Sequence, residues 1–255
     1  MRSWKQAVAR AFDGAEGYDG AAAIQAAVAG RLAQRIGVEA LVANPRILEV
    51  GCGTGLLTAA LLRLGTGGTL VASDIAPGMI LRCRSRLADA PDLRFVAMDA
   101  ERPCLAPGFD LIASSLAAQW FEDLPGTLAR LGALLAPGGL LAVATLASGT
   151  FAEWRAAHAA LGFEAATPLY PSLADLAALR IPGCTLTVAV EPMVERHADG
   201  RAFLGALRAI GAHTPGGGHP LSPGALRRVL RQFEGDGSEV TYEVATLLMR
   251  RTGQG

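Results

Sequence analysis

The sequence predicts an α/β fold in which a mainly parallel sheet is covered by helices on both faces. Short apolar runs that suit buried strands alternate along the chain with segments whose apolar residues recur at helical spacing. The first of these strands, Arg46–Val50, runs directly into a group of glycines, which is typical of a turn from a strand into a helix. Strands that alternate with helices form parallel sheets, because each helix returns the chain to the edge where the next strand begins.

The elements follow this alternation in order. An Ala-rich helix is predicted over 20–36, and Asn44-Pro45 separates it from the first strand. Helices then begin near Leu56 and Pro77, and a third ends at Leu135. The strands that lie between and after them are predicted over 69–73, 93–97, 109–114 and 140–145.

The pattern weakens beyond residue 150. The remaining elements are a helix over 151–161, a strand over 184–190, helices over 201–210 and 224–233, and a last strand over 242–249. The two helices form an insertion before the last strand. We expect a single domain over 1–255, with a helical N-terminal extension over 1–44, a core over 45–150 and further elements over 151–255.

Charge and hydropathy argue against two classes of partner. Lys and Arg together number 23 and so do Asp and Glu, so the chain has no broad positive field for nucleic acid. The most apolar run, 134–146, is short and contains Pro137-Gly138-Gly139, so no membrane-spanning helix is expected. No continuous apolar stretch of signal-peptide type follows the first residues, and cytoplasm is therefore the expected location.

Cysteine and histidine spacing indicates neither a metal site nor a disulfide framework. There is no Cys-x-x-Cys pair, and the histidines lack metal-ligand spacing. We expect reduced, mostly buried thiols, and a surface position for His158 on its Ala-rich helix. The residues concerned are Cys52, Cys83, Cys104, Cys184, His158, His197, His213 and His219.

The segment Leu48–Gly55 carries the sharpest local signal. Gly51, Gly53 and Gly55 allow tight or positive-φ conformations, and the helix that begins near Leu56 directs its first N–H groups at a polar ligand. A tight turn without a ligand would need the same glycines, so the motif alone is weak. Asp74 strengthens it, because an acid at the end of the next strand can accept hydrogen bonds from both ribose hydroxyls.

A second acid, Asp99, closes the third strand, where its carboxylate could accept from an adenine amino group. Together these residues resemble the class I (Rossmann-like) methyltransferases, whose cofactor is S-adenosylmethionine, over about residues 46–146. The resemblance implies that the middle segment is the cofactor-binding core and that the N-terminal extension is a helical lid. The cofactor-binding residues that it implies are Glu49, Gly51, Gly53, Gly55, Asp74, Ile75, Asp99, Ala100 and Ser115.

Landmarks along nearly the whole chain further resemble the malonyl-acyl-carrier-protein O-methyltransferases of biotin synthesis, the BioC family. They are Lys5, Ala11-Phe12, Tyr18-Asp19, Gln25, the run from Ser114 to Phe121, Thr150-Phe151, Glu153, the run from Ala209 to Ala212 and Thr241-Tyr242. The resemblance implies methyl transfer to the free carboxylate of a malonyl group on acyl-carrier protein or coenzyme A. The resemblance implies that the Tyr18 hydroxyl orients the substrate carboxylate or the cofactor and that Gln119 donates to a carboxyl oxygen, while Tyr18 as a packed lid residue is equally consistent. One departure is the segment after Ala212, which lacks the basic residue expected there.

This chemistry needs neither a general base nor a metal, because a malonyl carboxylate is already ionised at neutral pH. Three other readings stay open: a methyltransferase-like assembly factor of respiratory complex I that hydroxylates arginine, a methyltransferase of small free diacids, and a non-catalytic scaffold. Arg227, Arg228 and Arg231 cluster on a predicted helix, whereas Arg82, Arg84 and Arg86 alternate on another and spread over its different faces. Either group is a solvated helix face or a surface for an acidic carrier protein.

Overall fold

The computed structural model of the chain describes residues 5, 10, 12, 13, 22–209 and 221–253. Its helices are α1 (Ala23–Gly37), α2 (Leu56–Arg63), α3 (Pro77–Arg86), α4 (Leu124–Ala133), α5 (Ala152–Ala159), α6 (Leu173–Ala177), α7 (Gly200–Ala209) and α8 (Pro223–Gly235). Its strands are β1 (Arg46–Val50), β2 (Thr69–Asp74), β3 (Leu93–Ala97), β4 (Phe109–Ser115), β5 (Leu135–Leu146), β6 (Cys184–Arg196) and β7 (Glu239–Arg251).

The strands form one seven-stranded sheet in the order β3-β2-β1-β4-β5-β7-β6. β1 to β5 pair in parallel, with Val50 opposite Ser73 and Asp74 opposite Ala97. β6 and β7 run antiparallel, since Thr252 N bonds to Gly183 O at one end and His197 N bonds to Ser238 O at the other. The strand order reverses between β1 and β4, which is where open α/β sheets form a ligand crevice at their carboxyl edge.

The chain divides into two compact units. The described part of one of them comprises residues 23–145, 174–189 and 245–253. Its central strands β1 and β4 are buried almost throughout because a parallel sheet is covered on both faces. They contribute Leu48, Leu111 and Ile112 without measurable exposure. α4 begins where the Asp123 side chain accepts from Gly126 N at 2.9 Å, with Pro125 in its first turn.

The described part of the other unit comprises residues 5, 10, 12, 13, 22, 146–173, 190–209 and 221–244. Its core is aromatic. The Phe151 ring lies edge-on to Tyr242 with 5.2 Å between centroids, and Trp154 lies edge-on to Phe203 and Phe233 at 5.5 and 5.4 Å. Such edge-to-face pairs add to the stabilisation from buried area alone.

The structure confirms the predicted Rossmann-like fold with its mainly parallel sheet. Differences from the sequence predictions are local. β5 begins five residues earlier than expected and runs through Pro137-Gly138-Gly139, and the short helix α6 was not predicted. Of the N-terminal extension predicted over 1–44, the structure describes residues 5, 10, 12, 13 and 22–44, which include α1, and the others lie outside the described residues. No helix within the described ranges is both long and apolar enough to cross a bilayer.

Two predictions about single residues need correction. The surface position expected for His158 is wrong: the side chain is buried, with Nδ1 2.9 Å from Trp154 O and its ring 4.6 Å from the Trp154 ring. Aromatic packing on one face of α5 outweighs the polarity of the imidazole, which keeps a hydrogen-bond partner. The thiols are less uniformly buried than expected, because Cys104 is exposed and Cys184 is half-buried.

Candidate functional site

The glycine loop, residues 51–55, joins β1 to α2 at the carboxyl edge of the sheet. Its three glycines have positive φ angles of 71°, 53° and 92°, a region that other residues rarely enter. A Cβ on Gly51 would lie 2.3 Å from the Ala117 Cβ, and one on Gly55 would lie 2.8 Å from the Cys83 sulfur. The loop therefore needs glycine for close packing as well as for its backbone conformation.

The Asp74 carboxylate is held against this loop by two backbone bonds. Gly53 N donates to its Oδ2 at 2.9 Å and Ala76 N donates to its Oδ1 at 2.8 Å. These two bonds fix the orientation of the carboxylate relative to the loop. The predicted pairing of the glycines with the acid at the end of β2 is thus a direct contact.

Two buried serines fix the same edge from the neighbouring strands. Ser73 Oγ donates to Glu49 O at 2.7 Å, and Ser114 Oγ donates to Val50 O at 2.9 Å. Cys52 N then bonds to Ser73 O at 2.9 Å. These hydroxyls add side-chain hydrogen bonds to the last carbonyls of β1. Sequence reasoning did not assign either serine this role, although both precede a predicted site residue directly.

Glu49 lies beneath the loop, with 1% of its surface exposed. Its carboxyl accepts a bond from Thr58 Oγ1 at 2.6 Å, in the first turn of α2. Burial raises the pKa of Glu49 well above its ordinary value, although the Thr58 hydrogen bond opposes this shift. The carboxyl connects β1 to the start of α2, which otherwise begins at Gly55 without a side-chain cap.

Behind the loop, the Cys83 thiol of α3 lies 3.5 Å from Thr58 Oγ1. The neighbouring Cys52 thiol lowers the pKa of Cys83 to about 7, with smaller contributions from Thr58 and Arg86. The same pairing raises the pKa of Cys52 together with its burial. Both thiols are buried, so they serve as packing for the loop rather than as exposed nucleophiles.

The third edge residue, Asp99, follows β3 and is half-buried. Its Oδ1 accepts from Glu101 N at 3.0 Å and its carbonyl accepts from Arg102 N at 2.9 Å, which forms a tight turn. Met98 N bonds to Asp74 O at 2.9 Å, so the ends of β2 and β3 are tied together. Ala100 within this turn is buried, and Ile75, after Asp74, is half-buried.

Glu101 connects this turn to the segment after β4. Its carboxylate accepts from Asp123 N at 2.8 Å, Glu122 N at 3.2 Å and Thr127 Oγ1 at 3.3 Å. Glu101 is 8% exposed, and buried carboxylates are stable when several donors surround them. Sequence reasoning did not give this residue a role; the only available signal was its position two residues after Asp99.

Gln119 lies on a short 3₁₀ turn, Ala118–Trp120, directly after β4. Its Nε2 donates to Leu116 O at 2.7 Å, and its Oε1 accepts from Thr145 Oγ1 at 3.5 Å. Leu116 has an unusual φ of 50°, and its N–H bonds to Ala144 O at 2.8 Å. The amide is therefore oriented by its own segment and by β5, and one of its two N–H bonds is left for another acceptor.

Eight of the eleven predicted site residues thus line the carboxyl edge of β1 to β4. Glu49 lies below the loop, Ala100 is buried in the turn after Asp99, and Tyr18 lies outside the described residues. The eight residues at the edge are Gly51, Gly53, Gly55, Asp74, Ile75, Asp99, Ser115 and Gln119. Within the described ranges no three His, Cys, Asp or Glu side chains are grouped as metal ligands would be.

Comparisons with known proteins identify a family and several relatives of this chain. Residues 47–139 match the family model described as a methyltransferase domain. The chain is 42% identical over 241 residues to the malonyl-[acyl-carrier protein] O-methyltransferase of Magnetococcus marinus, covering 93% of this chain and 89% of that protein. It is 49% identical over 243 residues to the biotin biosynthesis bifunctional protein BioCD of Bordetella avium, of which it spans only 51%.

Solved structures share the fold at low sequence identity. A protein of Bacillus halodurans superposes with a TM-score of 0.63 at 15% identity, covering 87% of this chain and 98% of that one. An N-methyltransferase of Haemonchus contortus, solved with S-adenosylhomocysteine, superposes with a TM-score of 0.60 at 14% identity, covering 100% of this chain and 61% of that one. At such identities the likeness extends to the fold alone.

Proposed function

This chain belongs to the malonyl-[acyl-carrier protein] O-methyltransferase family, and we propose that it esterifies the free carboxylate of a malonyl group carried by acyl-carrier protein, with S-adenosylmethionine as methyl donor. The observation that carries the proposal is the Asp74 carboxylate held at 2.9 Å by the N–H of Gly53, within a chain that is 42% identical to such an enzyme. The name of one relative, a biotin biosynthesis bifunctional protein, supports a role for this reaction in biotin synthesis.

The residues at the sheet edge fit the cofactor. Asp74 is positioned as an acceptor for two neighbouring ribose hydroxyls, and Asp99 as an acceptor for an adenine amino group. The glycine loop brings backbone close to the ligand, and α2 begins at Gly55 without a capping side chain, so its first N–H groups suit a polar group. S-adenosylmethionine, when bound, supplies an electrophilic methyl group.

The protein's part in the reaction is positioning. The malonyl carboxylate is ionised at neutral pH, with a solution pKa near about 4, so no side chain has to remove a proton. Gln119 is oriented by Leu116 O and Thr145 Oγ1, and its remaining N–H can donate to one carboxylate oxygen. Holding the other oxygen near the methyl group and excluding water would supply most of the rate enhancement.

The first experiment is transfer of labelled methyl from S-adenosylmethionine to malonyl-acyl-carrier protein, malonyl-CoA and free malonate, with the product identified by mass. We expect a base-labile methyl ester, formed most efficiently on the carrier-bound group. Efficient esterification of free malonate alone would instead indicate an enzyme of small diacids. Binding of the methyl donor without transfer to any of the three would refute the proposed reaction while leaving the fold and family intact.

A further inference from the structure

One face of α8 carries three exposed arginines, Arg227, Arg228 and Arg231, here named the arginine face. The opposite face of the helix buries Val229, Phe233 and neighbouring apolar residues in the aromatic core of its unit. The arginines are thus fixed on a rigid, well-anchored element. α8 itself begins at a defined cap, since Ser222 Oγ accepts from Ala225 N at 3.2 Å.

The arginine face has no acidic counterpart within the described part of the chain: none of its guanidinium groups has a carboxylate within salt-bridge distance. The acids that follow in the sequence are engaged elsewhere. Glu234 accepts from Gly200 N at 3.2 Å, and Asp236 accepts from Gln232 Nε2 at 3.3 Å. Positive charge is therefore concentrated on this face of a chain whose formal net charge is zero.

This arrangement is unfavourable for the isolated helix. Arg227 and Arg231 are four residues apart and repel each other, at a cost comparable to the gain from an ion pair at that spacing. A solvated face in such a chain would more commonly intersperse acids with the arginines. Arg228 lies over the Phe163 ring, with 5.6 Å from guanidinium carbon to ring centroid, which limits its freedom while leaving its N–H edge available.

We infer that the arginine face docks the acidic surface of the acyl-carrier protein that delivers the malonyl group. The inference rests on the proposed function for the choice of partner. Acyl-carrier proteins are small acidic helical proteins, so the charges are complementary. Arginine suits this task because its planar fork pairs with carboxylates in two parallel bonds. Such contacts steer association and set partner choice more than they add affinity.

The test compares substrates that share the malonyl group but differ in carrier. We would measure methyl transfer to malonyl-acyl-carrier protein and to the short malonyl thioester of N-acetylcysteamine. Arg227→Glu/Arg228→Glu/Arg231→Glu should raise the KM for the carrier-bound substrate at least tenfold and leave kcat/KM for the short thioester within about twofold. Arg227→Lys/Arg228→Lys/Arg231→Lys should restore most of the carrier-bound activity, because it restores the charge.

A matched control reverses three exposed arginines elsewhere, with the same change in net charge: Arg35→Glu/Arg63→Glu/Arg180→Glu. It should leave both substrates unaffected. Equal KM values for wild type and the α8 triple variant on carrier-bound substrate would overturn the docking inference, as would an equal loss in the control. Should the α8 variant fold poorly by circular dichroism, the same comparison is made with single Arg227→Gln and Arg231→Gln variants.

Direct binding separates failure of docking from failure of the proposed reaction. Fluorescence anisotropy of labelled malonyl-acyl-carrier protein measures its Kd for the enzyme. This Kd should rise with added salt, and it should rise at least tenfold when the three arginines are replaced by glutamate. Salt-sensitive binding that depends on the arginines would support docking even if no ester formed. Binding of the carrier that is absent, or that does not depend on the arginines, would overturn the docking inference. So would arginine-dependent binding to anionic phospholipid vesicles in place of the carrier.

Discussion

The backbone N–H of Gly53 donates to the Asp74 carboxylate at 2.9 Å, across 21 positions of sequence. This bond places a fixed negative charge beside the loop that joins β1 to α2, and a second bond from Ala76 N prevents the carboxylate from rotating. The acid is therefore oriented before any ligand arrives, which reduces the entropic cost of binding.

Replacing this acid tests its role toward the methyl donor. Asp74→Asn should weaken binding of S-adenosylhomocysteine roughly tenfold to a hundredfold, since hydrogen bonds to charged groups contribute about 1.5–3 kcal/mol. Isothermal titration calorimetry measures the Kd. The control is Asp89→Asn, an exposed acid beyond α3. Unchanged affinity in Asp74→Asn, with the fold intact, would remove Asp74 from the cofactor site.

Gly51 tests whether the loop needs glycine for packing. Gly51→Ala places a Cβ 2.3 Å from the Ala117 Cβ at a φ of 71°, so the free energy of unfolding should fall by about 2 kcal/mol or more. Gly30→Ala is the matched control, because a Cβ there meets nothing within 4 Å inside α1 and should be neutral or stabilising. Urea unfolding measures both.

A second substitution divides the penalty into its parts. Ala117→Gly in the Gly51→Ala background removes the clashing methyl group but not the backbone strain. It should recover part of the lost free energy of unfolding and leave a remaining destabilisation of about 1 kcal/mol or more. Full recovery of the free energy of unfolding would show that the positive φ contributes nothing to the loss. No recovery would show that the contact with Ala117 contributes nothing to it.

The strands, and the placement of acidic site residues at their ends, were predictable because buried parallel strands are apolar runs with sharp ends. Asp74 and Asp99 fall at strand ends in the sequence and in the structure. Side-chain partnerships were not predictable in the same way. Nothing in the local pattern indicates that Glu49 turns beneath the loop to Thr58 or that Glu101 reaches Asp123, because such contacts depend on the relative placement of separate elements.

Two predictions that were wrong concern the start of one strand and the burial of one side chain. β5 extends back through Pro137-Gly138-Gly139, where a turn was the natural reading, because Phe109 pairs with Leu135 before an irregular register leads to Leu111 and Leu140. His158 was expected at the surface because its helix is rich in alanine. Its ring packs on Trp154 of the same helix, and Trp154 in turn packs on Phe203 and Phe233 of later elements, which the α5 sequence does not reveal.

Glu49 gives a prediction about pH. Burial raises its pKa in the folded state, whereas the unfolded chain has the ordinary value, so the folded protein binds more protons in the window between the two values. The free energy of unfolding should therefore fall as pH rises through that window. Glu49→Gln cannot ionise and keeps an acceptor for Thr58, so it should gain stability relative to wild type as pH increases from 4 to 8.

Chemical unfolding at intervals of one pH unit measures the difference between Glu49→Gln and wild type. Glu164→Gln, at an exposed site, should follow the wild type at every pH. A difference that is constant with pH would show that Glu49 ionises normally in the folded protein. A difference that shrinks as pH rises would mean that its pKa is lowered, because stability would then be lost toward acid pH.

Glu101 is predicted to act as a positioning residue for the Gln119 segment. Glu101→Gln removes the charge that attracts Asp123 N, Glu122 N and Thr127 Oγ1, and should cost about 1–3 kcal/mol of unfolding free energy. It should also raise the KM for malonyl substrate while Glu101→Asp recovers it in part. A loss of stability without any change in KM would make the residue purely structural.

Gln119 offers the sharpest test of substrate orientation. Gln119→Ala removes the N–H proposed to meet the malonyl carboxylate, and kcat/KM should fall about tenfold or more while the Kd for S-adenosylhomocysteine stays unchanged. Gln34→Ala, at an exposed position of α1, is the control.

Tyr18→Phe, combined with Gln119→Ala, distinguishes the two groups implied by the family resemblance. If both contact the same carboxylate, their effects should be non-additive, because removal of either already lets the group move. If Tyr18 only packs over the pocket, Tyr18→Phe keeps the ring and should leave kcat/KM unchanged.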